Sequence, residues 1–230
     1  MEQFFSESAY SAVAVSLVSY GLGNWLKRRF KLGLFNPLLI SIVCTILFLV
    51  VAGIDYETYK SGSSLLTWLL TPATVSLAIP LYEEYELLKA NAKAVIIGII
   101  CGVITSLGTV LLLSKLMGLT HQQYVTLLPK SITTAIGMGV SEELGGYVTI
   151  TVAVIVITGV IGNIIGEWIC KVFRIHEPIA KGLAFGTATH AIGTAKAMEI
   201  GEIEGAMSSL SIAVAGIFTV ALASVFANFM

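Results

Sequence analysis

Long apolar stretches alternate with short polar ones over almost the whole chain. A helix needs about 20 apolar residues to cross the hydrocarbon core of a bilayer. Five stretches reach this length without interruption, at residues 8–26, 34–54, 94–114, 147–170 and 205–229. Three more are interrupted by Pro, Gly and clustered Ser and Thr, at residues 63–82, 125–141 and 179–198. The pattern predicts an all-α polytopic membrane protein with five full spans and three Pro/Gly-broken or re-entrant helical segments.

The composition indicates that lipid is the solvent for much of the chain. Hydrophobic residues make up 56% of the 230 residues, charged residues only 12%, and the mean hydropathy is +0.90. A soluble domain typically carries about 25% charged residues. No linker or low-complexity tract divides the sequence, so we expect a single transmembrane domain over residues 1–230. Within it we distinguish N-terminal spans at 1–60 and repeat-like units at 61–120, 121–176 and 177–230.

The three interrupted segments share a seven-residue motif. Each copy has a hydroxyl residue, an apolar residue, a second hydroxyl residue, any residue, then Ala, Ile and either Pro or Gly. The copies begin at Thr74, Ser131 and Thr187, which are 57 and 56 positions apart. Chance similarity in an Ala- and Ile-rich chain is the alternative, but internal repeats of broken helices are typical of transporters. The residues expected to break the helices are Pro72, Pro80, Pro129, Gly137, Gly186 and Gly193.

The distribution of basic residues predicts the orientation of the spans. Nine of the 13 Lys and Arg residues lie in three clusters, at residues 27–31, 89–93 and 171–181. Because cytoplasmic loops carry an excess of these residues, all three clusters are placed in the cytoplasm and the N-terminus outside. This works only if residues 125–141 enter and leave the membrane on the outer side. That hairpin and the span after it would then be related by inversion to the hairpin at 179–198 and its following span.

Broken helices that carry hydroxyl side chains suit the binding of an anion. A break leaves backbone N–H groups without intrahelical partners, and free N–H groups at a helix N-terminus favour negative charge. Lys130 lies beside the second motif, and ionisable groups at membrane depth are usually functional. The alternatives are that the hydroxyls bond back to helical carbonyls and that the lysine extends to the membrane surface. The predicted substrate-binding residues are Thr74, Ser76, Lys130, Ser131, Thr133, Thr134, Thr187, Thr189 and His190.

Other residues near the motifs offer further chemistry. His190 lies inside the third motif, either as a proton-relay or substrate residue or as a hydrogen-bonded structural histidine. Glu143 and Glu199 border the second and third motifs; they either bind a coupling cation or form the polar ends of the hairpins. Three pairs of glycines have a G-x-x-x-G spacing, which permits close helix packing. These pairs are Gly98/Gly102, Gly162/Gly166 and Gly182/Gly186.

The sequence lacks the motifs of several kinds of function. The three cysteines stand alone in apolar runs, Asp55 is the single aspartate, and neither H-E-x-x-H nor G-x-S-x-G occurs. We therefore expect no enzymatic activity, no metal site and no cofactor. A formal net charge of −1 argues against a nucleic-acid partner, which requires a basic face. Without a Walker A motif, secondary transport or facilitated exchange is the remaining mode of transport.

Several blocks of the sequence resemble the LrgB/CidB family. They lie at residues 36–39, 70–73, 78–82, 128–131, 182–195, 204–206 and 208–210. The Pro-Lys-Ser block at 129–131 and the Gly-Thr-Ala-Thr-His block at 186–190 are the specific ones. The resemblance covers nearly the whole chain.

This resemblance implies two kinds of function. Bacterial members are described as antiholin-like or holin-like proteins that act with a small LrgA/CidA membrane partner in murein hydrolase control and cell lysis. The chain is also similar to the C-terminal half of the plant chloroplast glycolate/glycerate translocator, and some bacterial relatives are linked to pyruvate uptake. We therefore expect a carrier of small monocarboxylates in the bacterial cell membrane, with antiholin-like regulation as the alternative. The expected partners are a small organic anion, an LrgA/CidA-like protein and, in a homodimer, a second copy of the chain.

Overall fold

A computed structural model of the protein describes residues 10–30 and 36–230, except for the side chain of Thr74. The ends of the predicted spans at 8–26 and 34–54 and part of the basic cluster at 27–31 lie outside these residues. All regular elements in the described ranges are helices. They are α1 (Ser11–Phe30), α2 (Pro37–Ala52), α3 (Tyr56–Gly62), α4 (Ser64–Ser76), α5 (Ala78–Glu83), α6 (Tyr85–Ala90), α7 (Ala92–Met117), α8 (His121–Leu127), α9 (Thr134–Glu143), α10 (Val148–Val172), α11 (Pro178–Ile200) and α12 (Glu202–Ala227).

Four helical stretches of the described chain are long and apolar enough to cross a membrane: Ser64–Glu83, Ala92–Met117, Val148–Val172 and Glu202–Ala227. The last three confirm the predicted spans at 94–114, 147–170 and 205–229. The first occupies the segment at 63–82, which the sequence predicts to be interrupted. Helix α2 is apolar, but its 16 residues are fewer than the about 20 that a full span needs. An all-helical membrane protein is thus supported, while five full spans and the inverted repeat stay predictions.

The chain divides into two compact units, residues 1–76 and 77–230. In the first unit, α1 packs against α2 and α3. Asn36 begins α2, because its Oδ1 accepts hydrogen bonds from the backbone N–H groups of Leu38 (2.9 Å) and Leu39 (3.3 Å). Gly53 ends the same helix in the left-handed conformation, with φ of 66°.

Helix α7 contributes much of the core of the second unit. Val95, Ile99, Val103 and Leu107 are buried and recur every fourth residue, so they form one stripe along the helix. This stripe belongs to a cluster that includes Met207 of α12 and residues of α8 and α11. The stripe therefore joins α7 to the rest of the unit, while exposed apolar residues on its other faces suit contact with lipid.

Helices α11 and α12 form the most extensive pair in the second unit, and small residues make their close approach feasible. A Cβ on Gly182 would lie 2.6 Å from the backbone oxygen of Glu204. A Cβ on Gly186 would overlap the backbone oxygen of Ser208. On α12, Ser209 and Ser211 are buried, and each hydroxyl donates to a carbonyl of its own helix, so neither hydroxyl is left without a partner.

The helices are interrupted at the same place in the second and third copies of the sequence motif. In the first copy, α4 and α5 meet at Leu77, the fourth motif position, but the backbone angles of Leu77 stay helical (φ −64°, ψ −16°). In the second, residues 128–133 are non-helical and α9 begins at Thr134, again the fourth position. In the third, His190 at the fourth position has non-helical backbone angles inside α11. The sequence repeat therefore coincides with a backbone interruption in two of its copies, although Pro72, Pro80, Gly137, Gly186 and Gly193 themselves lie within helices.

Candidate functional site

Two glycines of α7 set the distance between α7 and the first half of α11. A Cβ on Gly98 would lie 2.9 Å from Cδ1 of Leu183, and one on Gly102 would lie 2.8 Å from Oγ1 of Thr187. Both contacts are too short for a real Cβ, so the two helices approach this closely only because glycine occupies these positions. The close-packing role predicted for this G-x-x-x-G pair is confirmed.

A cleft of about 550 Å³ lies between α7, the non-helical segment at 128–133 and the first half of α11. Hydroxyl groups and one ammonium group provide its polar lining, and the remaining lining residues are small or apolar. The polar residues are Thr105, Ser106, Thr109, Lys130, Ser131 and Thr187. The others are Gly98, Cys101, Gly102, Ala180, Leu183, Ala184 and Ala188. Three of the predicted site residues, Lys130, Ser131 and Thr187, thus meet in one cleft.

Lys130 is half-buried in this cleft and is held there by serine rather than by a carboxylate. Its Nζ donates to Oγ of Ser131 at 2.8 Å, and Oγ of Ser106 donates to the same atom at 3.0 Å. Within the described residues Lys130 has no ion pair. Other lysines do have one: Lys60 with Glu57, Lys171 with Glu167, Lys181 with Glu204, and Lys196 with Glu167 and Glu199. The cleft therefore holds a lysine amine that has no carboxylate partner in the described chain.

Several predicted hydroxyls bond to their own helices. Thr187 donates to Leu183 O at 2.7 Å and Thr189 to Phe185 O at 2.8 Å, both four residues earlier. Ser76 donates to Ala73 O at 2.7 Å. Thr74 lies in α4, but its side chain is outside the described part. The hydroxyls of Ser76, Thr187 and Thr189 have used their one proton, so toward a ligand they retain only lone pairs.

The remaining predicted residues lie outside the lining of the cleft. Thr133 precedes α9 in extended conformation without a capping hydrogen bond from its side chain, and Thr134 is the first residue of that helix. Glu143 is exposed at the end of α9. Glu199 is also exposed, and its carboxylate lies 3.2 Å from Nζ of Lys196. The assignments of these four residues to substrate or coupling-ion binding stay predictions.

His190 is a buried, conformationally unusual residue in the middle of α11. Its φ of 44° and ψ of −141° interrupt the helix, and its Nε2 lies 3.0 Å from Ile155 O of α10. Oγ1 of Thr194 donates to the backbone oxygen of His190 at 3.0 Å, and Nδ2 of Asn163 donates to that of Ile192 at 2.8 Å. Side chains of the protein therefore satisfy the broken backbone. These contacts agree with the structural alternative for His190, while a role toward substrate stays a prediction.

Sequence reasoning missed three polar cleft residues and one buried carboxylate. Thr105, Ser106 and Thr109 belong to a span whose other residues are almost all apolar. Their one signal in the sequence is that hydroxyl residues recur three to four positions apart, which places them on one side of a helix. Glu204 is 7% exposed and pairs with Lys181 at 3.6 Å. Its position in the first turn of α12 predicts a stabilising contact with the helix N-terminus but not burial.

Metal and thiol chemistry find no support in the described ranges. These ranges contain no group of three His, Cys, Asp or Glu side chains that could hold a metal ion. Cys44, Cys101 and Cys170 are free thiols, and among them Cys101 lines the cleft.

Apolar helices, repeated interruptions and a polar cleft define this chain as an all-helical membrane protein. The model of the LrgB-like family matches residues 16–229. The chain belongs to this family. It is 38% identical over 222 residues, which is 96% of this chain and 96% of the relative, to the antiholin-like protein LrgB of Bacillus mycoides (strain KBAB4). The same values hold for the antiholin-like protein LrgB of Bacillus cereus (strain B4264) and of Bacillus anthracis (strain CDC 684 / NRRL 3495). No solved structure matches the chain.

Proposed function

We propose that the cleft binds a small carboxylate and that the protein carries such anions across the membrane without catalysing a reaction. The proposal is carried by Lys130, whose ammonium group lies in a cleft of hydroxyls without an ion pair in the described chain. A charge at membrane depth is costly unless it is compensated. A carboxylate would supply the missing opposite charge and would accept hydrogen bonds from the lysine. Glycolate, glycerate and pyruvate are the expected kind of substrate.

Replacing Lys130 tests the carrier proposal. We expect Lys130→Ala to weaken glycolate binding about ten- to hundredfold, because it removes a charged hydrogen-bond donor. Uptake of radiolabelled glycolate into proteoliposomes measures the loss. Lys115→Ala is the matched control, because Lys115 is exposed at the end of α7 and does not line the cleft. Equal uptake by Lys130→Ala and the unchanged protein would remove the lysine from the site.

A phospholipid headgroup is another source of negative charge, and the lipid composition distinguishes it from a soluble acid. Liposomes of phosphatidylcholine alone should support glycolate uptake. If the cleft is instead a site for phosphatidylglycerol, this lipid should suppress glycolate binding. Uptake should then be absent both in liposomes of phosphatidylcholine alone and in liposomes that also contain phosphatidylglycerol. That second result would contradict the carrier proposal.

The second candidate function is antiholin-like regulation of murein hydrolase activity and cell lysis. The observation that favours it is the name of the relatives, which are antiholin-like proteins at 38% identity over nearly their full length. This is more direct support from the comparisons than the carrier role has. Expression in a bacterium without its own LrgB-type protein should then lower autolysis. If Lys130→Ala abolishes uptake but keeps this effect, lysis control does not depend on the anion.

Two protein partners complete the proposal. A small LrgA/CidA-type membrane protein would act with this chain, and two copies of the chain would form a homodimer. Chemical cross-linking in bacterial cell membranes that contain both proteins tests each assembly. Recovery of the two proteins only at their monomer masses, without any cross-linked species, would contradict both assemblies.

A further inference from the structure

The hydroxyl of Ser131 has an unusual set of hydrogen-bond partners. Its oxygen accepts one hydrogen bond from Nζ of Lys130 at 2.8 Å and another from Oγ of Ser106 at 3.0 Å. The residue is only 6% exposed, and it lines the cleft. A serine hydroxyl has two lone pairs and one proton. Both lone pairs of Ser131 are therefore occupied by donors of the protein.

The proton of Ser131 is left as a donor toward the cleft. It has no acceptor among the residues of the described chain. Because the oxygen accepts from a cationic group, its O–H bond is polarised and becomes a stronger donor. An unmatched donor in a buried position is unfavourable, so a ligand that presents an acceptor is preferred there.

We infer that Ser106 is a positioning residue that orients the Ser131 hydroxyl, so that the ligand group facing Ser131 must be a hydrogen-bond acceptor. This inference rests on the carboxylate-binding function proposed above. A carboxylate oxygen accepts from both Lys130 and Ser131. A primary amide of the same shape presents an NH₂ group, and Ser131 has no lone pair left to receive it. Ser106 thus acts on the choice of ligand through the hydroxyl of Ser131.

The experiment compares glycolate with glycolamide in nanodiscs of phosphatidylcholine. We expect Ser106→Ala to weaken glycolate binding about threefold to tenfold, because Ser131 loses one hydrogen-bond partner and its proton can rotate. Glycolamide binding should not weaken, because the lone pair that Ser106 had occupied becomes free to accept from the amide. The dissociation constant of glycolamide divided by that of glycolate therefore falls. Ser106→Thr keeps the donor and should restore the ratio.

Ser114→Ala is the matched control on the same helix. The Ser114 hydroxyl is buried and has no hydrogen-bond partner in the described structure, so its removal should leave both dissociation constants unchanged. Equal losses of glycolate and glycolamide in Ser106→Ala would overturn the positioning role, since general damage to the cleft weakens both. Failure of the unchanged protein to bind glycolate would instead overturn the carboxylate function itself.

Discussion

Individual polar side chains in this protein are satisfied in different ways. Thr187 and Thr189 donate to carbonyls of their own helix, so they add no unsatisfied group. His190 is fixed by Ile155 O of the neighbouring helix. Lys130 is the exception, because its Nζ donates to the hydroxyl of Ser131 and it has no carboxylate partner in the described chain. This difference separates residues that stabilise the fold from the one that is best suited to a ligand.

The backbone of His190 leads to an unusual order of stability among its variants. In a regular helix Gly is less stable than Ala by about 1 kcal/mol. At φ of 44° and ψ of −141° an alanine is strained and a glycine is not, so we expect His190→Gly to be more stable than His190→Ala by about 1 kcal/mol. Both variants lose the bond to Ile155 O, so the comparison isolates the backbone.

Thermal unfolding in detergent measures the order. The reaction of buried Cys170 with a fluorogenic maleimide reports unfolding when Cys44 and Cys101 are replaced by serine. Ala191→Gly is the control, because this neighbouring residue lies in the helical second half of α11 and should show the ordinary destabilisation. If His190→Ala is the more stable variant, the backbone there is helical after all.

Helical elements approach one another through glycines, and this follows from the pattern that the sequence predicts. All six G-x-x-x-G glycines have neighbours that a Cβ would meet at 2.9 Å or less. Side chains of α11 fill the space above Gly98, Gly102, Gly162 and Gly166, while α12 fills the space above Gly182 and Gly186. These contacts confirm the packing role. They could not be assigned to particular helix pairs from spacing alone, because the same spacing serves any neighbour.

Gly162 gives the sharpest test of this packing. A Cβ there would overlap the side chain of Thr189, so we expect Gly162→Ala to destabilise the protein by about 1–3 kcal/mol. Gly108→Ala is the matched control, since no atom lies within 4 Å of its Cβ position in α7. It should be neutral or stabilising by up to about 1 kcal/mol. The Cys170 unfolding assay measures both, and equal effects would refute close packing at Gly162.

For the whole molecule, the lengths of α8 and α9 bear on the predicted re-entrant hairpin. These helices have 7 and 10 residues and are joined by non-helical backbone at 128–133. At 1.5 Å per residue, a 10-residue helix extends about 15 Å, which is half of a bilayer core of about 30 Å. Neither helix reaches across alone, as a re-entrant hairpin requires, and entry and exit on the same side stay a prediction.

Accessibility of single cysteines tests this topology. We expect Gln122→Cys and Glu142→Cys to react with a membrane-impermeant maleimide in intact cells, because both residues are exposed and flank the hairpin that the basic residues predict on the outer side. His176→Cys should react only after lysis, because it lies within the basic cluster at 171–181. The parent protein carries serine at Cys44, Cys101 and Cys170. Reaction of only one of the first two sites would mean that residues 125–141 cross the membrane.

The sequence by itself determined the class of protein, three of its spans and the family blocks, while of the six predicted helix-breaking residues only Pro129 lies outside a helix. These properties are local: apolar length, hydroxyl clusters and the conformational limits of Pro and Gly act along the chain. It also pointed to Lys130, Ser131 and Thr187, because charge and hydroxyls are conspicuous in an apolar background.

Only the tertiary structure decided which of these residues share a cleft. Ser106 and Ser131 are 25 positions apart, and Thr187 is farther along the chain, so their proximity depends on how α7 and α11 pack. The same packing turned Thr189 and His190 toward protein partners rather than into the cleft. Hydrogen-bond partners depend on three-dimensional neighbours, and residue type specifies only what a side chain can donate or accept.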